Sequence, residues 1–233
     1  MESIIQARNI NRFFKSGSER IHALKNVHVN IKAGTLTILK GRSGSGKTTL
    51  MNLLGALDRP DQGEIFFQNQ DITKFAESKR DDLRRRQMGF VFQSVALIPL
   101  MSAYENVEFG LRVAGYEPQK RRARAEECLA FVGLQKRMGH RTHEMSGGEQ
   151  QRVAIARAIA HRPEVIFADE PTAQLDTLMG LQVMKVFRDL VEKERLTIVM
   201  TSHDPNIIEL ADTIYELQDG QIMNESESGI YGG

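Results

Sequence analysis

Residues Gly41-Arg42-Ser43-Gly44-Ser45-Gly46-Lys47-Thr48 spell G-x-x-x-x-G-K-[ST]. Before them, Leu36-Thr37-Ile38-Leu39 is a short apolar run that reads as a buried strand. After them, Thr48-Thr49-Leu50-Met51-Asn52-Leu53-Leu54 reads as a helix. In that setting the glycines let successive backbone N–H groups turn inward around a polyphosphate, and the helix N-terminus adds partial positive charge there. Lys47 has the reach for β- and γ-phosphates and the Thr48 hydroxyl suits Mg2+, so Gly41 to Thr49 are candidate nucleotide contacts. The alternative is a glycine-rich turn that holds no ligand.

With 233 residues the chain is long enough for one large α/β domain or a core with an attached subdomain. Its formal net charge of +1 supplies no global attraction to nucleic acid or to an anionic membrane surface. The single cysteine, Cys128, excludes a disulfide within the chain and reads as a small core residue on a helix, as in a reducing cytosol. Met1-Glu2-Ser3-Ile4-Ile5 lacks the parts of a secretory signal, and no apolar run approaches the roughly 18–20 residues of a membrane span. The expectation is a soluble chain whose membrane role comes through a partner.

Outward from the glycine loop, Ile4 to Asn9 and His22 to Ile31 alternate as antiparallel strands, and Glu64 to Phe67 and Met88 to Gln93 read as further strands. From about 94 to 160 the pattern is helical, clearest over Glu105–Val113 and Gln119–Val132. Strand and helix then alternate: Val165–Ala168, helix Gly180–Lys193, Thr197–Met200, helix Asn206–Asp212, and Thr213–Leu217. That alternation predicts a mostly parallel α/β sheet, with an N-terminal antiparallel β subdomain and an inserted helical subdomain over about 94–160. Residues 1–223 read as a single domain, and the polar, glycine-rich 224–233 as a flexible tail.

Val165 to Ala168 delivers Asp169 and Glu170 to the end of an apolar strand, where an open α/β sheet binds its ligand. Asp169 is placed to hold Mg2+ with Thr48, and Glu170 to polarise an attacking water; two solvated acids opening a loop fit the spacing as well. Ser146-Gly147-Gly148-Glu149 opens another helix. A serine and two glycines there make either an ordinary helix cap or a second phosphate nest, which a head-to-tail dimer would use. Arg84-Arg85-Arg86 and Lys120-Arg121-Arg122 are flanked by acids and read as solvated helix faces, with no aromatic interleaving for nucleic acid. His140 and His143 lack the companions of a metal site.

The glycine loop, Phe92-Gln93, Met145 to Glu149, Val165 to Glu170, Leu175-Asp176 and Ser202-His203-Asp204 resemble, in order and spacing, the motifs of ABC-transporter nucleotide-binding domains. The resemblance runs from about Ile5 to Ile222. It is finest for ATPase subunits of the macrolide-exporter, lipoprotein-release and antimicrobial-peptide-resistance type, through Gly89 to Gln93, Leu97 to Leu100, Tyr104 to Glu108 and Gln150 to Ala158. It implies a P-loop NTPase core with ATP and Mg2+ as cofactors. Phe14 stands where an aromatic stacks on adenine. Thr48, Gln93 and Asp169 would serve the metal. Lys47, Gln93, Glu170 and His203 would be catalytic. Ser146, Gly147, Gly148 and Glu149 would meet the γ-phosphate across a dimer, with Asp176 along the seam. Glu149 departs from the usual glutamine, and Thr172-Ala173-Gln174 from the usual spelling before the aspartate; neither removes a catalytic group.

The implied protein is an ATPase on the cytoplasmic side of a membrane, dimerising head-to-tail with a second copy and driving an integral membrane permease, with no nucleic-acid role. Its implied work is export or extraction of a hydrophobic compound, antimicrobial peptide or lipoprotein. An alternative within the family is force transmission to an extracytoplasmic partner without a moving substrate. Val95, Leu97, Ile98, Leu100 and Met101 are the candidate permease contacts, with core packing as the other reading.

Overall fold

The computed structural model describes residues 2–17 and 19–227. In chain order it contains β1 (Ser3–Ser16), β2 (Glu19–Lys32), β3 (Leu36–Lys40), α1 (Lys47–Leu54), β4 (Gln62–Phe67), β5 (Gln70–Asp71), α2 (Glu77–Gln87), β6 (Met88–Val91), α3 (Ala103–Val113), α4 (Pro118–Phe131) and α5 (Gly147–Ile159). There follow β7 (Val165–Asp169), α6 (Thr177–Glu194), β8 (Thr197–Ser202), α7 (Pro205–Ile208), β9 (Thr213–Gln218) and β10 (Gln221–Glu227). The chain forms two compact units, Met1–Asp82 together with Val191–Gly233, and Leu83–Leu190.

In the first unit β1 pairs antiparallel with β2 and β4, giving the sheet order β2-β1-β4-β5. The outer half of β2 shows why: Val27, Val29 and Ile31 are buried while Asn26, His28 and Asn30 are exposed, the period of a half-covered strand. β3 instead lies parallel between β8 and β9. Leu36, Ile38, Leu39, Ile198, Val199 and Met200 are all fully buried, as in a parallel sheet covered on both faces. Leu50, Leu53 and Leu54 of α1 are buried as well, which fixes the loop between β3 and α1.

In the second unit β6 and β7 are parallel, and α3, α4 and α5 pack on one another. α5 also packs on β6, so closely that a Cβ at Gly89 would come within 2.6 Å of the Ala158 carbonyl oxygen. Val107, Leu111, Cys128, Leu129, Val153 and Ile155 form the interior of this helical part. The α/β architecture expected from the sequence is met, with an antiparallel N-terminal sheet, a mostly parallel second sheet and a helical insertion. The compact unit is wider than the helices alone, beginning at Leu83 rather than near 94, because paired β6 and β7 belong to it.

Two expectations are corrected. The helix expected over Asn206–Asp212 ends at Ile208. Asp212 is drawn out of it, accepting a hydrogen bond at 2.7 Å from the Leu36 N–H and donating its own N–H to the Leu36 carbonyl at 2.9 Å. The loose tail expected from Asn224 begins inside β10, whose Asn224–Glu227 stretch pairs antiparallel with Glu216–Thr213. Most of its side chains are exposed, so no apolar alternation marked it; the remainder, 228–233, lies outside the described residues. Among the described residues no helix is long and apolar enough to cross a membrane.

Candidate nucleotide-binding site

Gly41 to Gly46 connect β3 to α1, and Gly46 forms the helix N-cap at φ +104, a region a side chain rarely enters. Its missing Cβ also makes room for β2, since a Cβ there would come within 2.9 Å of the Ala23 carbonyl oxygen and the Leu24 side chain. A Cβ on Gly41 would collide with the Leu217 carbonyl oxygen and the Ser45 hydroxyl. The Gly220 N–H donates to the Ser45 carbonyl at 3.1 Å, so the turn between β9 and β10 closes the loop from the other side.

Lys47 is only 6% exposed, and its Nζ donates to the carbonyls of Gly41 at 2.8 Å and Arg42 at 3.1 Å. An ammonium folded under a ring of loop backbone, beside a buried Ser45 hydroxyl without a hydrogen-bond partner among the described residues, is a cradle chemically suited to a polyanion. The adjoining cleft of about 610 Å³ is lined by residues 40–45 and by His203, Glu216 and Asp219. Within this unit the fold therefore brings His203, which follows β8, to the glycine loop. Thr48 and Thr49 occupy the first turn of α1, Thr48 exposed.

Phe14 lies on β1 opposite Ile21 and is 39% exposed, with the Arg12 guanidinium 4.8 Å from its ring centroid. Its neighbour Phe13 is enclosed: His22 stacks on it at 4.1 Å and the Arg20 guanidinium sits 3.9 Å from the centroid.

In the second unit, Gln93 is exposed two residues beyond β6, and Asp169 is the last residue of β7. Glu170 holds φ +42, a left-handed backbone for a non-glycine residue, and such conformations cluster at functional positions. Ser146 caps α5 through a complete capping box. Its hydroxyl accepts from the Glu149 N–H at 3.3 Å, and its own N–H donates to the Glu149 carboxylate at 2.9 Å. That backbone hydrogen bond, ahead of the nearby Arg137 and Arg152 charges, holds the Glu149 carboxyl below its ordinary pKa, while Arg137 Nε sits 3.2 Å away. The glutamate standing in place of glutamine thus keeps the helix start intact.

Ser146 and Gly147 are exposed, whereas Gly148 is buried against Met179, whose sulfur would lie 3.1 Å from a Cβ there. Asp176 is exposed and its Oδ1 accepts the Met179 N–H at 3.0 Å, so it caps the start of α6. The basic run that opens α4 behaves as a solvated face: Arg122 pairs with Glu126 at 3.0 Å and Lys120 with Glu117 at 2.8 Å. Of the candidate permease contacts, Leu100 is 81% exposed, and Val95, Leu97, Ile98 and Met101 are half-buried.

Thr48 in the first unit, and Gln93 and Asp169 in the second, carry hydroxyl, amide and carboxylate oxygens, the hard donors that Mg2+ takes. Among the described residues no cluster of three or more His, Cys, Asp or Glu forms a metal cage. Sequence reasoning missed the Glu149 half of the capping box, although S-x-x-E is its signature, and it missed Arg12 beneath Phe14, for which no local pattern exists.

A strand–glycine loop–helix cradle with a buried lysine defines a P-loop nucleotide-binding fold. The family model described as ABC transporter matches residues 24–173. The ABC transporter ATP-binding protein MJ0796 of Methanocaldococcus jannaschii is 41% identical over 228 residues, 96% of this chain and 97% of that protein. MJ0796 has been solved as a dimer in a post-hydrolysis state bound to ADP and Pi; that structure matches with TM-score 0.88 at 40% identity, covering 96% of this chain and 98% of that one. The macrolide export ATP-binding/permease protein MacB of Syntrophobacter fumaroxidans is 42% identical over 98% of this chain, which spans 32% of that longer protein. The structure of cbiO1 from Clostridium perfringens, part of the transporter complex cbiONQ, matches with TM-score 0.87 at 30% identity, covering 97% of this chain and 89% of that one. The chain belongs to the ABC transporter family, as one of its ATP-binding, ATP-hydrolysing cassettes.

Proposed function

We propose that two copies of this chain close head-to-tail on ATP and Mg2+, and that closing and reopening drive an integral membrane permease from the cytoplasmic side. The observation that carries this reading is the pair of phosphate-sized helix starts on one chain, the Gly46–Lys47 cradle and the exposed Ser146–Gly147 cap. In this reading a single nucleotide at the first cradle does not reach the second, which would meet a phosphate only if another copy supplies it. The dimeric ADP- and Pi-bound state of MJ0796 supports a dimer of this chain.

In this reading Phe14 stacks on adenine. Lys47 and the loop amides from Gly41 to Thr49 hold the β- and γ-phosphates, and Ser146, Gly147, Gly148 and Glu149 of the second copy cover the γ-phosphate, with Asp176 at the seam. Thr48, Gln93 and Asp169 hold Mg2+, which when bound neutralises phosphate charge. Glu170 orients and polarises the attacking water, and His203 donates to the γ-phosphate. Phosphoryl transfer then proceeds by positioning and charge neutralisation, with little covalent work for the protein. Likeness to a macrolide export protein, MacB, favours export as the coupled work, with a hydrophobic compound, an antimicrobial peptide or a lipoprotein as the proposed cargo. The exposed Leu100 side chain belongs on the permease-facing surface.

The test is Glu170→Gln with ATP and Mg2+, followed by light scattering and phosphate release. A stable dimer with little hydrolysis is expected. A variant that stays monomeric, or that turns over at the wild-type rate, overturns the assignment.

A further inference from the structure

We infer that Arg12 is a positioning residue for the nucleotide base, backing the Phe14 ring while Asp58 and Asp61 hold its guanidinium in place. The inference rests on the reading of Phe14 as the adenine platform. Of the two adjacent phenylalanines, Phe13 has both faces occupied: His22 at 4.1 Å and Arg20 at 3.9 Å from one centroid cannot share a face. Phe14 has Arg12 at 4.8 Å and remains 39% exposed, so it is the ring able to accept a further flat partner.

Arg12 is not a loose surface cation. Its side chain is 21% exposed, and its Nη2 lies 2.8 Å from Asp58 and its Nη1 3.2 Å from Asp61. Its Nε is buried without a hydrogen-bond partner among the described residues, so the remaining use of the guanidinium is its flat face. Asp61 also accepts the Phe13 N–H at 2.8 Å, tying strand and turn together one residue before the ring. The turn is itself pinned: the buried Arg80 donates to the carbonyls of Ala56 at 2.7 Å and Asp58 at 2.6 Å.

This turn follows α1, the helix that begins at Lys47, so the anchors of Arg12 and the phosphate cradle sit at opposite ends of one short rigid element. The hairpin meets the cradle directly as well. Ala23 lies against Gly46 and Gly220, two residues, or about 7 Å of strand, from the Ile21 that pairs with Phe14. The distance from base platform to phosphate site is thereby fixed at two places. A cation behind the ring is attracted by its negative π-face, which holds the ring in place while the front face meets the base.

The experiment compares binding of ATP and of inorganic tripolyphosphate to the full chain by calorimetry, and measures KM and kcat for ATP. Arg12→Ala should weaken ATP binding about fivefold, with KM rising by the same factor, kcat unchanged, and tripolyphosphate affinity within about twofold of wild type. Arg12→Lys, which keeps charge but not the planar fork, should fall between. Adding Arg12→Ala to Phe14→Ala should bring no further loss. Unchanged ATP affinity in Arg12→Ala, an equal loss for tripolyphosphate, or additive losses would overturn the inference. If Phe14→Ala itself binds ATP as wild type does, the base-platform reading falls with it; if Phe14→Ala weakens ATP and Arg12→Ala does not, only the role of Arg12 falls.

Discussion

The Glu149 carboxylate accepts the Ser146 N–H at 2.9 Å while the Glu149 N–H returns a hydrogen bond to the Ser146 hydroxyl. Two donors that the start of α5 would otherwise leave unpaired are satisfied inside the segment proposed to face the γ-phosphate. The order of that segment therefore comes from the chain's own side chains and exists before any nucleotide arrives.

A first prediction concerns its charge. Glutamine at 149 can still accept the Ser146 N–H, so Glu149→Gln should retain the helix start and lose at most about 1 kcal/mol through the Arg137 pair at pH 7. Glu149→Ala should lose about 1 kcal/mol more with the cap. Because the folded-state pKa of Glu149 is depressed, its carboxylate stabilises the fold above the unfolded value of about 4.3, and that contribution disappears as pH falls through the folded value. Urea midpoints of wild type and Glu149→Gln should accordingly converge in acid. A gap that stays constant from pH 7 down to about 3.5 would remove the carboxylate from the stability of this cap.

A second prediction separates nucleotide binding from closure. Ser146 is exposed and its main energetic role within one chain is the cap, so Ser146→Arg should fold with a loss of about 1 kcal/mol. Each chain should bind ATP within about twofold of wild type. Combined with Glu170→Gln, the arginine should abolish the ATP-dependent dimer seen by light scattering. A Ser146→Arg/Glu170→Gln protein that dimerises as Glu170→Gln does would refute the cross-chain role of this helix start.

What the sequence made legible was local or uninterrupted. The glycine loop announced its own backbone, and the apolar runs of β3, β7 and β8 are the ones buried throughout. β10 escaped because its side chains face water, and pairing with β9 owes nothing to apolar alternation. The early end of α7 depends on a hydrogen bond from Leu36 to Asp212, across 176 residues of chain. Arg12 reaches anchors 46 and 49 residues away, and no periodicity encodes a cation placed over a ring. The Glu149 contact is encoded locally, in the S-x-x-E spacing from Ser146 that a capping box requires.

A third prediction arises where the chain leaves β6. Val95 and Ala96 both hold left-handed backbone, at φ +50 and +46, although neither is glycine and Val95 is β-branched. Each such residue sits about 1–2 kcal/mol above its ordinary conformation, so something must hold the pair. Arg157 of α5 does so, donating to the Ala96 carbonyl at 2.6 Å and the Val95 carbonyl at 3.1 Å. Arg157→Met keeps the stem and removes the donors. It should destabilise the chain by about 2 kcal/mol and speed hydrogen exchange of the amides at 94–97 more than those of α4. Gln93 stands two residues upstream and should share that freedom, lowering kcat more than ATP affinity. Glycine adopts positive φ without strain, so Val95→Gly should depend less on the arginine, and the double variant should be more stable than the sum of the two single losses. Additive losses, with exchange at 94–97 unchanged, would show that Arg157 does not hold this backbone.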